Sequence, residues 1–142
     1  MFKDILVPVD LQDENSWSKA LPAAVSMADG GGATLHIMTV VPDFGMTIVA
    51  QYFPDDFATN ALSGANERLK AFIADQVPDG IATRAIVGHG TVYDEILRAA
   101  GEVGADLIVI AAHRPDLKDY LLGPNASRVV RHGRCSVLVV RD

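Results

Sequence analysis

The chain has 142 residues, a formal charge of −6 and 49% hydrophobic residues. That length fits one domain able to bury a core without cross-links, and that composition excludes a disordered chain. The acidic balance argues against nucleic acid as a main partner, which needs a basic face, but not against a small nucleotide held by a few local donors.

No apolar run approaches the roughly 20 residues that span a bilayer. The opening Met1-Phe2-Lys3-Asp4 does not read as a secretory signal. The expectation is a cytoplasmic protein with no membrane partner. The lone cysteine, Cys135, reads as a small buried hydrophobe in a reducing compartment, with a redox or nucleophilic role as the alternative.

Ile5–Val9 is the first predicted strand, and Asp10 follows it at once. In open α/β sheets ligands bind beyond the carboxyl ends of the strands. A carboxylate there can accept bonds from ribose hydroxyls or hold magnesium. The same residue can instead cap a turn or the next helix, and spacing alone leaves both open. Ser16–Ala28 is a predicted helix with Trp17, Leu21, Val25 and Ala28 on one face, stopped by Gly30-Gly31-Gly32. Pro22 inside it demands either a later start or a kink.

The second predicted strand, Thr34–Val40, contains His36, read as a core histidine rather than a ligand. Val41–Thr59 is a long irregular connection with Pro42, Gly45 and Pro54. Its Phe44, Met46, Ile48, Tyr52 and Phe53 could cover a ligand or partner, or fold onto the core or a dimer surface. Ala58–Gln76 is a predicted helix carrying Leu62, Leu69, Phe72 and Ile73. Thr83–Val87 is the third strand, ended by Gly88-His89-Gly90, whose two glycines permit a tight turn and close backbone approach to a ligand. Thr91–Glu102 is the third helix, carrying Val92, Ile96 and Ala99 or Ala100, and stopped by Gly104.

Leu107–Ala111 is the fourth strand and runs into a polar loop holding His113, Arg114 and Lys118. The planar fork of arginine suits phosphate; Arg114 and Lys118 can equally pair with Asp116 or Asp119 on the surface. Gly123-Pro124-Asn125-Ala126-Ser127 then opens the helix Asn125–His132. Gly123 lets backbone approach an anion, Pro124 has φ already set for a first turn, and Asn125 and Ser127 add side-chain donors. Unpaired N–H groups at the positive end of a helix dipole favour anions. Val129 and Val130 lie in this helix, and His132-Gly133 end it, with His132 placed to meet the dipole. Ser136–Val140 is the last strand.

Strands rich in Val, Ile and Leu that alternate with helices describe an α/β fold, with a parallel sheet covered on both faces and wound by right-handed crossovers. The four histidines show no metal-ligand spacing, so no metal ligand is assigned. P-loop, GxGxxG, GxSxG and HExxH patterns are absent, as is any Ser/His/Asp or Cys/His set. No catalytic residue is assigned, and a robust hydrolase is unsupported.

Ile5-Leu6-Val7-Pro8-Val9-Asp10, Leu35-His36-Ile37, the Ala111–Ser127 loop and Val137-Leu138-Val139-Val140 together resemble the universal stress protein family over essentially the whole chain. The segment AAHRPDLKDYLLGPNA, followed by VVRH and CSVLVVR, looks most like the F and G type bacterial members. The resemblance implies a single-domain, open five-stranded parallel sheet in the order 3-2-1-4-5, Rossmann-like and adenine nucleotide alpha hydrolase-like. It also implies a homodimer paired edge to edge through Ser136–Arg141, which would cover an exposed edge strand.

Nucleotide-binding members of that family hold ATP with Gly-x2-Gly-x9-Gly-Ser/Thr. By position, Ala111 stands for the first glycine and Arg114 for the second. Gly123 stands for the third, one residue short in spacing, and Pro124 replaces the Ser/Thr. Arg114 would block a backbone approach yet supply charge, whereas Pro124 removes a hydroxyl and an N–H. Pro8, Val9 and Asp10 match the adenosine-side residues, and Ile37 the strand residue whose backbone meets adenine. The candidate binding set is Pro8, Val9, Asp10, Ile37, Gly88, Ala111, Ala112, His113, Arg114, Gly123, Pro124, Asn125, Ala126 and Ser127, for ATP with or without magnesium.

The expected role is a stress-response protein that signals through occupancy of this site to an unidentified protein partner. Any turnover would be slow ATP hydrolysis or self-phosphorylation, with Ser127 as the acceptor. A nucleotide-free interaction module of the same fold is the alternative. A flavodoxin-like redox carrier is disfavoured by the lack of aromatic residues near the strand ends.

Overall fold

Successive side chains of a strand point to opposite faces, so an apolar run without polar alternation needs cover on both. The computed structural model describes residues 1–42, 57–112 and 124–141 and shows that cover. Strands β1 (Asp4–Pro8), β2 (Thr34–Pro42), β3 (Ala82–Gly90), β4 (Leu107–Ala112) and β5 (Ser136–Arg141) form one parallel sheet in the order β3-β2-β1-β4-β5. Helices α1 (Ala20–Ala28), α2 (Phe57–Gln76), α3 (Val92–Val103) and α4 (Pro124–His132) alternate with the strands. The order expected from the resemblance is the order observed.

Register decides which residues share a face. Ile5 sits beside Leu35 and Leu107, while Leu6 sits beside His36 and Ile108. On one face Ile5, Val7, Ile37 and Val109 pack with Leu21 and Ala24 of α1 and Leu69 of α2. On the other, Leu6, Met38, Ile108 and Ile110 pack with Ile96 and Ala99 of α3 and Ala126 and Val129 of α4. Each such Leu or Ile is buried, and full burial of one contributes roughly 1.5–3 kcal/mol. Trp17 meets Phe72 edge to face at 5.0 Å, which ties the approach to α1 to the side of α2. Among the described residues no helix is long and apolar enough to cross a membrane.

Of the boundaries that differ from the sequence reading, three have a clear physical reason. The first helix begins at Ala20, not Ser16, and Glu14–Ser16 forms a separate 3-10 turn. Pro22 therefore falls in the first turn, where its missing N–H would have no helical partner, and no kink is needed. Gly88-His89-Gly90 is not a turn. It continues β3, because β2 itself runs to Pro42 and offers Val40, Val41 and Pro42 as pairing partners. The last helix takes in Pro124 as its first residue, the position where proline is preferred. Gly104 closes α3 as expected, at φ 66°, and Ala105 N–H donates to the Ala100 carbonyl at 2.9 Å.

The amino ends of the strands carry a polar clamp. The Asp106 carboxylate accepts the N–H of Lys3 at 2.8 Å and of Asp4 at 3.0 Å. Burial pushes its pKa up, but these two backbone donors prevail and hold it below the usual carboxylate value. His36 is buried in β2 and donates from Nε2 to Asp4 Oδ1 at 2.9 Å, while its Nδ1 has no partner among the described residues. It is thus a core histidine held on one side only.

The loop residues His113, Arg114, Asp116, Lys118, Asp119 and Gly123 lie outside the described residues. So do Phe44, Gly45, Met46, Ile48, Tyr52, Phe53 and Pro54 of the long connection.

Candidate functional site

The chain winds from β1 outward to β3, then returns to place β4 on the other side of β1. At such a reversal the loops after two adjacent strands diverge and leave a crevice at their carboxyl ends. A cleft of about 840 Å³ opens there. Its floor is Pro8 at the end of β1, Val9 just past it, Met38 to Val41 of β2, and Ile110 and Ala111 of β4. Val9 N–H donates to the Met38 carbonyl at 2.8 Å, which fixes the chain as it leaves the sheet.

Asp10 is the first residue past that bond. Its Oδ1 accepts the Gln12 N–H at 3.0 Å, an Asx turn, and its own N–H donates to Ser16 Oγ at 2.8 Å. Ser16 Oγ in turn donates to the Asp13 carbonyl at 2.7 Å. The local turn role read for Asp10 is therefore present. It uses one carboxylate oxygen, and Asp10 Oδ2 has no partner among the described residues. Asp13 caps the following 3-10 turn by accepting the Asn15 N–H at 3.0 Å.

The opposite wall is the start of α4, where Pro124, Asn125 and Ala126 line the cleft. Proline gives no N–H at the first position, so the backbone donors near this end come from Asn125 onward. The side wall is α2, which presents Asn60, Gly64 and Arg68 at four-residue spacing.

Of the candidate binding residues, the structure brings Pro8, Val9, Asp10, Ala111, Pro124, Asn125 and Ala126 to this one cleft. Ile37, Gly88, Ala112 and Ser127 do not line it. The side chain of Ile37 is fully buried in the core. Gly88 is buried in β3, where a Cβ would sit 3.1 Å from Glu95 Cβ and 3.4 Å from Met38 Cε. Its lack of a side chain lets α3 pack closely, and Glu95 Oε1 accepts the His89 N–H at 3.1 Å beside it.

Comparison with known proteins bears on this site. The model of the universal stress protein family matches residues 1–141. The chain belongs to this family. Universal stress protein G of Escherichia coli O157:H7 is 34% identical over 143 residues, covering 99% of this chain and 100% of that relative. A solved universal stress protein in complex with cAMP is 25% identical, with a TM-score of 0.61, covering 99% of this chain and 97% of that one. The solved hypothetical protein MJ0577 has a TM-score of 0.81 at 24% identity, covering 100% of this chain and 97% of that chain, and speaks for the fold.

Sequence reasoning missed the α2 wall of this universal stress protein family member altogether. The signal was there: a glycine inside a helical pattern, flanked four residues away on either side by Asn60 and Arg68 rather than by apolar residues.

Proposed function

We propose that this universal stress protein family member binds an adenine nucleotide in the cleft and signals through its occupancy. The observation that carries the reading is the meeting, at the sheet's reversal point, of an Asp10 carboxylate whose Oδ2 has no partner among the described residues and the start of α4. Ribose hydroxyls would donate to Asp10, and phosphate oxygens would accept backbone N–H bonds near the start of α4. The apolar floor at Val9, Met38 and Ala111 suits a base. The cAMP complex of a relative supports the ligand class.

ATP is the ligand we favour. With it, magnesium would draw on Asp10 together with phosphate oxygens, as that ion commonly does. His113, Arg114 and Gly123 complete the proposed phosphate side. Turnover would be slow hydrolysis or self-phosphorylation at Ser127. The protein would act in the cytoplasm as a homodimer paired through β5, whose outer edge has no strand beside it among the described residues. A protein partner would read the bound state.

Calorimetry at millimolar ATP, with and without magnesium, tests the central claim. Saturable heat is expected; heat no greater than dilution sinks it. Gly123→Val should abolish binding while leaving the dimer intact. Sedimentation should find a dimer, and a monomer at every loading concentration would remove that part of the reading.

Pro124 at the first helical position favours a second reading, a nucleotide-free interaction module, because it takes one N–H from the phosphate side. Mass spectrometry of gently denatured, freshly purified protein separates the two: a co-released adenine nucleotide supports the first.

A further inference from the structure

Arg68 is the single cationic side chain among the described residues that line the cleft, and Asp10 and Asp13 line the same cleft. It forms no ion pair with either, and both carboxylates are already engaged locally by the N–H groups of Gln12 and Asn15. The guanidinium, with five donors and a permanent charge, thus lies in a ligand-sized space without a fixed partner among the described residues.

Its position is built into α2. Gly64 stands one turn earlier on the same face, and a Cβ there would touch Arg68 Nη1 at 3.4 Å. A side chain longer than alanine at 64 would displace the guanidinium from the wall. A helix-interior glycine weakens a helix relative to alanine, so this helix carries a local cost where the arginine folds back over it. Without Arg68 the described lining would hold two carboxylates and no cation, an environment that repels a phosphate.

We infer that Arg68 is the specificity-determining cation of the cleft, the residue that makes it accept a phosphorylated nucleoside in preference to the uncharged nucleoside. The inference rests on the nucleotide reading proposed above and adds to it a residue on α2, apart from the loop after β4. A hydrogen-bonded charge pair replaces the repulsion between phosphate and carboxylates, and its contribution falls as salt screens it.

The test is titration calorimetry of the full chain with AMP and with adenosine, using wild type, Arg68→Gln and Arg68→Lys, each checked by thermal melting. Arg68→Gln should weaken AMP by about tenfold or more and leave adenosine unchanged. Arg68→Lys should recover part of the loss, because it restores charge without the planar fork. The AMP affinity of wild type should fall more steeply with salt than that of Arg68→Gln. Equal AMP affinity in wild type and Arg68→Gln overturns the inference, as does an equal loss for AMP and adenosine. If wild type binds neither AMP nor ATP, the nucleotide reading itself falls and takes this one with it.

Discussion

Asp106 and Asp4 hold each other twice: the Asp106 carboxylate accepts the Asp4 N–H at 3.0 Å, and the Asp106 N–H donates to the Asp4 carbonyl at 2.9 Å. With the Lys3 N–H also bound, the carboxylate staples the start of β1 to the start of β4. Asp106→Ala should cost about 1 kcal/mol in urea denaturation at neutral pH, since the group is only half-buried. The folded-state pKa of Asp106 is depressed, so its contribution is present above the unfolded value of about 4 and is lost as pH falls through the folded value. Wild type and Asp106→Ala should therefore converge in stability in acid. A gap that persists undiminished there would show that the carboxylate's charge is not what the clamp uses.

Gly88 gives way to Glu95. Gly88→Val should destabilise by about 1–3 kcal/mol through overpacking between β3 and α3, and Gly88→Ala by less. Neither should alter nucleotide affinity at equal folded fraction, since Gly88 does not line the cleft. A stable Gly88→Val protein with weakened binding would return this glycine to the ligand site.

Arg128 of α4 lies over the ring of Tyr93 in α3, 4.6 Å from its centroid. This contact steadies the helix whose first turn lines the cleft. Tyr93→Leu should lose about 0.5–1 kcal/mol and raise hydrogen exchange selectively in α4. Uniform exchange across all helices would mean that the stacking does not anchor α4.

Cys135 is half-buried against the face covered by α3 and α4. Burial, with a further push from the Asp106 charge, raises its thiol pKa above the ordinary thiol value. At neutral pH it should alkylate more slowly than an exposed thiol of a small peptide, and faster only as the pH climbs past the ordinary thiol range. Rapid labelling at pH 7 would revive the nucleophilic role.

The strands were legible because runs such as Ile5–Val9 and Leu107–Ala111 leave no face for water, and their alternation with helices supplies the crossovers that parallel strands need. Gly104 announced its own left-handed turn. Asp10 was legible for the same reason, standing where a buried strand meets solvent. Harder to see was anything that depends on pairing between distant segments. The extension of β3 through Gly88 and Gly90 needs β2 to continue to Pro42, which periodicity within either segment cannot tell. Pro22 shows a related gap: local patterning put Leu21, Val25 and Ala28 of α1 on the core side, yet hydrogen-bond topology decided where the helix could begin. Arg68 was hidden because a charged helical residue ordinarily faces solvent; only the tertiary position of α2 turns it toward a ligand-sized space.

The polar clamp of Asp106, Asp4 and His36 occupies the amino rim of the sheet, and the cleft the carboxyl rim. Substitutions that retune what the crevice accepts therefore fall a full strand length from the bonds that register the scaffold. Such a division gives an engineer latitude: the upper loops can be rewritten for a new effector while the lower edge keeps folding independent of that choice.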